Sequence, residues 1–416
     1  MRRILPAVAA MLIVSLAWHG TARPDDDDPK IGSFRASYLM GILKTDKKPE
    51  RRRVALGGLG QIGLQSPKGI LAIIAALKDD ADPVVREAAA QALTPIAQKA
   101  DETKDPKDQR AKMIDIRDGC LDALRTALKN DRDAKDPKED AKRARVREAC
   151  AVGLGRVGTD LLTLKKEEER EQTLIAGFRT SVPVLTEALK DPDPGVRAAA
   201  AESLGRLSDY ARDAVPALID TFKDKKADRF VRGYAAFAIG RIGGDAARGA
   251  VPELADALTD KDSPDEVRRS AATALGALKM DGAGAAAALG QALKDRSVDV
   301  RRAAVTALGQ IGPENRAALK PLVEAAKDQD KFVRAQALQV LGTMTQDAAE
   351  VLRVLTDGMQ DQLLEVRLAA IEALGNLGPE AKAAVPVLRA ARTDARAAVR
   401  EAAAEALKKI EKTEKD

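Results

Sequence analysis

The residue types that most often carry catalysis are scarce in this sequence. Its 416 residues include one histidine, His19, and two cysteines, Cys120 and Cys150. A zinc site needs histidines or cysteines in larger number. His19 lies within residues 1–22, which we expect to be removed as a signal peptide, so the mature chain has no histidine for a Ser-His-Asp set or for the activation of a nucleophilic cysteine. Paired carboxylates stay open as acid–base groups, but such a pair normally needs a pocket with apolar walls. The sequence therefore predicts a protein that is not an enzyme and holds no metal or cofactor.

Arginine and aspartate recur in a fixed pattern. An Asp is followed six residues later by an Arg, and then by Ala, Leu and Gly at constant offsets, as in Asp295 to Gly312. The signature arginines are Arg52, Arg86, Arg147, Arg197, Arg232, Arg268, Arg301, Arg334, Arg367 and Arg400. The last five are 33 residues apart, whereas the earlier gaps are irregular. The chain is therefore a repeat array with insertions in its first half.

The offsets that follow the arginine predict a helix. Val300, Ala304, Ala307, Leu308 and Ile311 have the spacing of one helical face. Shorter helices precede these helices, and we expect them at Val182–Lys190, Ala214–Lys223, Val251–Leu258, Leu319–Lys327 and Val385–Arg392. Each unit is then a helical hairpin that cannot bury its apolar face alone, so that neighbouring hairpins must stack into one core.

The motif Asp-x-x-x-x-Val-Arg-x-x-Ala-x-x-Ala-Leu-Gly-x-Ile-Gly resembles the HEAT-repeat superfamily, in particular the short repeats of the phycobilin-lyase type. The resemblance covers residues 34–411. It implies an all-α fold, an alpha-alpha superhelix that forms a right-handed solenoid of about ten hairpins. Repeats of this kind occur in many binding proteins, so the lyase activity does not transfer.

The resemblance also implies a structural role for the two recurring residue types. In that family the Asp and Arg columns form a hydrogen-bonded ladder along the stack. Ala141 and Lys226 stand at the aspartate position of the third and fifth units. The implied ladder residues are Asp46, Arg52, Asp80, Arg86, Asp191, Arg197, Asp262, Arg268, Asp295, Arg301, Asp328, Arg334, Asp361, Arg367, Asp394 and Arg400.

The first residues of the chain predict export. Arg2 and Arg3 precede a short apolar stretch, and small residues follow it, which is typical of a bacterial signal peptide over residues 1–22. We expect cleavage and a periplasmic or secreted protein; an uncleaved membrane anchor is the alternative. Removing Arg2 and Arg3 lowers the net charge from +5 to +3, which argues against nucleic acid as a partner.

The remaining segments complete the expected organisation. Residues 23–33 are an acidic flexible leader, and residues 412–416 are a charged tail. Residues 34–160 hold repeats 1–3, with charged loops at Asp101–Lys112 and Asp131–Lys142. Residues 161–178 are a further insertion, and residues 179–411 hold repeats 4–10. Cys120 and Cys150 lie in the two helices of the third unit, where a disulfide and two buried thiols are equally open.

A candidate partner site lies in the middle of the array. Nine residues after the signature arginine, three consecutive units carry Arg156, Arg206 and Arg241. Tyr234 and Phe237 stand beside them at offsets that should face the concave surface, and Arg with aromatic residues is typical of binding hot spots. The competing interpretation is that these rings pack against residues 161–178. We expect a scaffold that binds a protein partner; the alternatives are a lyase-like enzyme and a self-assembling envelope protein.

Overall fold

The computed structural model describes residues 28–102, 107–131, 136–157, 179–279, 283–312, 316–345 and 348–412. These residues form helical hairpins in sequence order, which confirms the all-α prediction and, over the described ranges, the number of ten units. The chain divides into two compact units, with the boundary between residues 214 and 215. No helix in the described part is long and apolar enough to cross a membrane.

The first unit contains a short strand pair and four hairpins. Strands β1 and β2 pair antiparallel, with Ile31 opposite Phe34. The elements are β1 Lys30–Ile31, β2 Phe34–Arg35, α1 Ala36–Thr45, α2 Pro49–Ile62, α3 Pro67–Asp79, α4 Pro83–Glu102, α5 Lys107–Asn130, α6 Pro137–Val157, α7 Ser181–Ala188 and α8 Pro194–Leu207.

The second unit contains six hairpins, several of them joined by short 3-10 turns. Its helices are α9 Val215–Lys223, α10 Arg229–Ile242, α11 Val251–Thr259, α12 Asp265–Leu278, α13 Ala283–Ala292, α14 Val298–Ile311, α15 Leu319–Ala325, α16 Lys331–Leu341, α17 Ala348–Gly358, α18 Leu364–Asn376, α19 Val385–Ala391 and α20 Ala397–Lys412. The bounds of the five predicted first helices differ from these by at most two residues. In both units the second helix of each hairpin is the even-numbered one.

Side-chain caps fix where several second helices begin. The Asp193 carboxylate accepts hydrogen bonds from the backbone N–H groups of Gly195 and Val196, at 2.8 and 3.1 Å. Asp228 caps α10 and Asp330 caps α16 in the same way. Each cap satisfies an N–H group that has no partner inside the helix, which is worth about 1 kcal/mol. Ser297, which occupies the corresponding place before α14, makes no such bond.

Neighbouring second helices approach each other closely at the glycine of the Leu-Gly pair. A Cβ atom added to Gly276 would lie 2.7 Å from the Ala307 Cα, and one added to Gly342 would lie 2.6 Å from the Ala373 Cα. In both cases the residue contacted is the Ala that directly precedes Leu in the next repeat. The small residues of the motif are therefore required by direct contact between helices, and the core between them is built from Ala, Leu, Val and Ile.

The structure corrects two expectations about the irregular segments. The predicted flexible leader ends earlier than residue 33, because β1 begins at Lys30 and the Asp28 carboxylate accepts a hydrogen bond from the backbone N–H of Ser37. The predicted charged loop at Asp101–Lys112 is largely helical, because α4 continues to Glu102 and α5 begins at Lys107. In the second charged segment, α6 begins at Pro137. The predicted signal peptide and residues 161–178 lie outside the described residues.

The close contact gives a stability prediction. Gly276→Ala and Gly342→Ala should each lower the free energy of unfolding by roughly 1–3 kcal/mol, because the added methyl group meets backbone atoms that cannot move aside. Gly57→Ala in α2 is the matched control, since its added Cβ meets no atom within 4 Å and helix propensity alone should make it neutral or stabilising. Denaturant unfolding measures all three. Equal stability of Gly276→Ala and the parent protein would contradict the packing explanation.

Candidate functional site

The most regular polar feature is a set of bidentate pairs between an arginine and the aspartate of the following hairpin. In each pair the arginine Nε and Nη2 donate to the two carboxylate oxygens, at 2.7 to 3.1 Å. We call these pairs the Arg–Asp ladder: Arg52–Asp80, Arg86–Asp131 and Arg147–Asp191 in the first unit, and Arg268–Asp295, Arg301–Asp328 and Arg334–Asp361 in the second.

Each ladder residue also holds its own hairpin together. The Arg301 Nη1 donates to the Asp295 carbonyl oxygen at 3.0 Å, and the Asp295 carboxylate accepts from the Ser297 N–H at 2.8 Å. The same bonds recur around Asp328, where Arg334 and the Asp330 N–H are the donors. One guanidinium thus joins the end of its own first helix to the carboxylate of the next hairpin, and each polar group is paired within a partly buried edge.

In two hairpins the aspartate at the ladder position is not at the place that the sequence predicted. In the third hairpin, where Ala141 was expected to break the column, Asp131 takes the place and pairs with Arg86. In the sixth hairpin Asp260, and not Asp262, occupies it: the Asp260 carboxylate accepts from the Asp262 N–H at 3.0 Å, and Asp262 itself is exposed. The loops between Asp and Arg are longer in these two hairpins. The position of the aspartate is therefore set by the end of the first helix, and not by a fixed number of residues before the arginine.

Three predicted ladder arginines bond differently. Arg197 donates to the carbonyl oxygens of Asp191 and Pro192, at 2.7 and 2.8 Å. Arg400 in the last hairpin donates to the Asp394 carbonyl at 2.8 Å. The Nε of Arg367 is enclosed and has no hydrogen-bond partner among the described residues, for which nothing in the structure gives a reason.

The ladder sets the charge state of its members. Burial lowers the pKa of the Arg147 guanidinium, but the hydrogen bond to Asp191 and nearby carboxylates outweigh burial, so that the pKa is raised overall. Burial raises the pKa of Asp295 and Asp361, but hydrogen bonds from Arg268 and Arg334, with further bonds from the backbone, bring both pKa values below the usual range. Both partners are therefore charged at neutral pH, which suits a structural pair and leaves no proton to transfer.

A second candidate site lies on the exposed side of α10. Phe230, Tyr234, Phe237 and Arg241 follow one another at intervals of four, three and four residues, and therefore lie along one face of the helix. Phe230 is 52% exposed, and Tyr234 and Phe237 are each 37% exposed. We call Phe230, Tyr234 and Phe237 the aromatic stripe. Its first member is held by the Arg229 guanidinium, which lies 5.0 Å from the ring centroid.

The equivalent positions on the next three second helices carry no charge. They are exposed and lie five and nine residues after the signature arginine, which places them in register with Phe237 and Arg241. We call them the uncharged face: Thr273, Ala277, Thr306, Gln310, Gln339 and Thr343. Charge returns at the next such position, Glu372. Since 32% of the chain is charged, an exposed band without charge over three helices is a distinct surface.

The other predicted partner residues lie in the first unit. Arg156 is exposed on α6. Arg206 on α8 donates to the Glu202 carboxylate of its own helix at 2.7 Å. Phe222, on the helix that precedes α10, is 1% exposed and belongs to the core of α9. The alternative packing of Tyr234 and Phe237 against residues 161–178 involves residues outside the described ones.

One exposed aromatic was absent from the predicted site. Phe332 at the start of α16 is 58% exposed, and the guanidinium of Arg302 lies 4.9 Å from its ring centroid. Arg302 also pairs with Asp330, at 2.6 and 3.0 Å. Phe332 has the same offset from its signature arginine as Phe230, which is the sequence signal that would have pointed to it.

Both cysteines are buried. Cys120 and Cys150 are free thiols in this structure, and whether they pair in an oxidising compartment stays a prediction. Burial raises the pKa of Cys120 to about 12 and raises that of Cys150 as well, so that neither is a thiolate at neutral pH. Open cavities of 380 to 470 Å³ in the second unit are each lined by a ladder arginine. Within the described ranges, no three acidic, His or Cys side chains are grouped as metal ligands.

Removing a ladder arginine should strongly lower the stability of the protein. Arg301→Ala and Arg334→Ala should each lower the free energy of unfolding by roughly 3–5 kcal/mol, because each leaves a partly buried carboxylate without its partner. Gln310→Ala and Asn376→Ala on exposed positions should change it by less than about 0.5 kcal/mol. Chemical denaturation of the four variants gives the comparison. Unchanged stability of both arginine variants would refute the structural role of the ladder.

The lowered pKa values of Asp295 and Asp361 predict acid sensitivity. Their folded pKa lies below the unfolded value of about 3.9. Their contribution to stability is therefore present above that value and is lost as the pH falls through the folded pKa. The melting temperature should drop below about pH 4, and an Asp295→Asn/Asp361→Asn variant should be less stable at pH 7 but show a shallower drop. Asp299→Asn, at an exposed position, is the control; identical acid profiles for all three proteins would contradict the linkage.

The comparisons with known proteins agree with this geometry. A family model described as HEAT repeats matches residues 6–108, 139–230, 224–295, 286–367 and 354–416. No curated protein sequence matches the chain. Among solved structures, importin beta in an ammonium sulfate condition is 19% identical over 90% of this chain, with a TM-score of 0.57, and importin beta in a polyethylene glycol condition is 17% identical over 90%, with a TM-score of 0.55.

A third solved structure, Kap121p bound to Pho4p, is 16% identical over 90% of this chain, with a TM-score of 0.50. The present chain spans 50%, 52% and 41% of these three chains, about half their length or less. At such identities the likeness concerns the fold alone. The phycobilin-lyase type of repeat has no separate support in these matches. Because the family model matches most of the chain and the described residues form stacked hairpins, the chain belongs to the HEAT-repeat family.

Proposed function

We propose that this protein is an exported, non-catalytic scaffold that binds a protein partner through the second helices of residues 215–412. The observation that carries the proposal is the aromatic stripe on α10 with Arg241 after it, because it exposes three aromatic rings in line in a chain with only 2% aromatic residues. Tyr and Arg are enriched at positions where a few side chains supply most of the binding energy.

The surroundings of the stripe suit a polypeptide partner. The uncharged face offers hydroxyl and amide groups at Thr273, Thr306, Gln310 and Gln339, which bond a peptide backbone as readily as they bond water. The hydroxyl groups of Thr273 and Thr306 donate to carbonyl oxygens of their own helices and still accept. Apolar rings at one end and neutral polar groups along the rest would fix both the position and the direction of a bound segment.

The family supports a binding role without naming the partner. Repeat proteins of this architecture present long continuous surfaces, and one protein of similar fold is described as bound to Pho4p. Arg156 and Arg206 belong to the proposal as further partner contacts in the first unit. Export rests on the signal-like residues 1–22, and N-terminal sequencing of the protein from the envelope and medium of the source cells tests it. A chain that starts at Met1 in a cytoplasmic fraction would refute this part.

The partner proposal predicts a specific loss of binding. Residues 23–416 serve as bait against envelope and secreted proteins, with mass spectrometry as the readout. A Tyr234→Ala/Phe237→Ala/Arg241→Ala variant should lose the partner or bind it at least about tenfold more weakly, since each hot-spot side chain contributes about 2 kcal/mol or more. Circular dichroism and melting establish that the variant is folded.

A matched control separates the stripe from the rest of the array. Glu350→Ala/Arg353→Ala/Asp357→Ala alters three residues of α17, a first helix, and should retain the partner. Retention by both variants would move the site away from α10. Loss with both would mean that the triple changes act through general destabilisation, and the assignment of the site would fall.

A further inference from the structure

Arg232 departs from the ladder within the second unit. It occupies the ladder position of α10 and is 4% exposed. Its Nε donates to the Phe222 carbonyl oxygen at 2.9 Å, and its guanidinium lies 5.5 Å from the Phe222 ring centroid. Among the described residues no carboxylate lies within ion-pairing distance of Arg232, whereas six other signature arginines hold one bidentately.

The two amino groups of Arg232 remain available. Neither Nη1 nor Nη2 makes a hydrogen bond to the described protein atoms, since the bond from Nε is the one that Arg232 donates. Neither nitrogen is among the enclosed side-chain atoms without a partner, so solvent reaches both. A guanidinium that is almost fully buried and still presents two free donor groups is a strong anion receptor, because desolvation strengthens a charge-assisted bond.

The aspartate that would complete the ladder at this place is held elsewhere. Asp260 belongs to the next hairpin, but its Oδ2 accepts from the Lys225 Nζ at 3.0 Å and its Oδ1 from the Asp262 N–H at 3.0 Å. In the six ladder pairs, Oδ2 is the atom that accepts from the arginine Nε. The oxygen that corresponds to the arginine acceptor in the ladder is thus bound by Lys225 in this structure.

The charges around Arg232 favour a carboxylate over a more highly charged anion. Asp224 and Asp260 are close enough to act on Arg232 electrostatically, although burial dominates and lowers its pKa. The loop also exposes Lys225 and Lys226, and the Asp228 carboxylate is used as the cap of α10. A singly charged group meets less repulsion from the two nearby aspartates than a doubly charged phosphoryl group.

We propose that Arg232 is the receptor for a carboxylate of the protein partner, an Asp or Glu side chain or a C-terminus. The ladder shows six times, in this chain, how an arginine at this position binds a carboxylate. Phe230 lies two residues earlier in the same first turn and is exposed, but residues two apart do not share a helix face. A partner that contacts both Arg232 and the aromatic stripe must therefore pass around the start of α10. This inference rests on the proposed function and names the chemistry of the partner.

The test uses the full chain and a fluorescein-labelled tetraglutamate peptide, with tetraglutamine as the neutral comparison and fluorescence anisotropy as the readout. Tetraglutamate should bind saturably and tetraglutamine should not. Arg232→Gln should weaken tetraglutamate binding at least tenfold, and Arg232→Lys should weaken it less, because an ammonium group keeps the charge but not the bidentate geometry. Arg353→Gln, the same charge change on exposed α17, should leave binding unchanged.

Two neighbouring variants test the competition without altering Arg232. Lys225→Met frees Asp260 to pair with Arg232, so it should weaken tetraglutamate binding at an unchanged or higher melting temperature. Asp260→Asn should leave binding equal or tighter. These two variants test whether Arg232 binds the carboxylate even if Arg232→Gln fails to fold.

Several outcomes would overturn the assignment. They are equal binding by Arg232→Gln and the parent protein, equal weakening by Arg353→Gln, undiminished binding by Lys225→Met, and competition by inorganic phosphate at lower concentration than acetate. The Tyr234→Ala/Phe237→Ala/Arg241→Ala variant should still bind tetraglutamate while it loses the partner. A captured partner with no tetraglutamate binding therefore refutes this inference alone, and tetraglutamate binding with no captured partner refutes the proposed function alone.

Discussion

The backbone contact between neighbouring second helices is the constraint on which the rest of the structure depends. At Gly276 and Gly342 the space for a Cβ atom is taken by the Cα of an alanine in the next hairpin. Helices that meet at small residues lie near the short end of the usual 8–10 Å separation. Gly240 and Gly375 make the same contact with Ala274 and Ala406, so the close approach recurs along the second unit. A core of Ala, Leu, Val and Ile then fills the gap without aromatic rings, which explains why a 416-residue chain has 2% aromatic residues.

That spacing makes the Arg–Asp ladder possible. A guanidinium reaches both the carbonyl of its own first helix and the carboxylate of the next hairpin only if the hairpins are a fixed distance apart, and the six pairs agree within 0.4 Å in bond length, 2.7 to 3.1 Å. The ladder in turn pairs polar groups at the helix ends that would otherwise be buried without partners. The recurring Gly and Ala residues thus allow the close packing, and the recurring Arg and Asp residues form the ladder. The exposed positions five and nine residues after the arginine have no part in the ladder, so the ladder does not fix their residue types.

The sequence predicted the fold because the motif reports these constraints directly. Ten signature arginines gave ten hairpins, and the five predicted first helices have bounds within two residues of those observed. The prediction of the ladder aspartates was wrong where the loops differ in length. Asp131 and Asp260 were missed because the ladder aspartate is fixed by the end of its helix, whereas the prediction counted back from the arginine. Of the candidate partner residues, Tyr234 and Phe237 are exposed as expected, whereas the exposed rings of Phe230 and Phe332 were not among the candidates.

The fifth hairpin combines two departures from regularity. Its second helix carries the aromatic stripe, whereas the next three repeats carry Thr or Gln at the position of Phe237. Its signature arginine lacks the carboxylate that three other signature arginines of the second unit hold. In the function we propose, both changes serve binding to a partner. The hairpins are joined by bidentate bonds between arginines and aspartates. An arginine of the same type can bind a carboxylate of another molecule if its own aspartate does not pair with it. In the arrangement we propose, Lys225 does this through its bond to Asp260. Recognition of a partner would then require no new type of interaction, only one arginine released from its structural role.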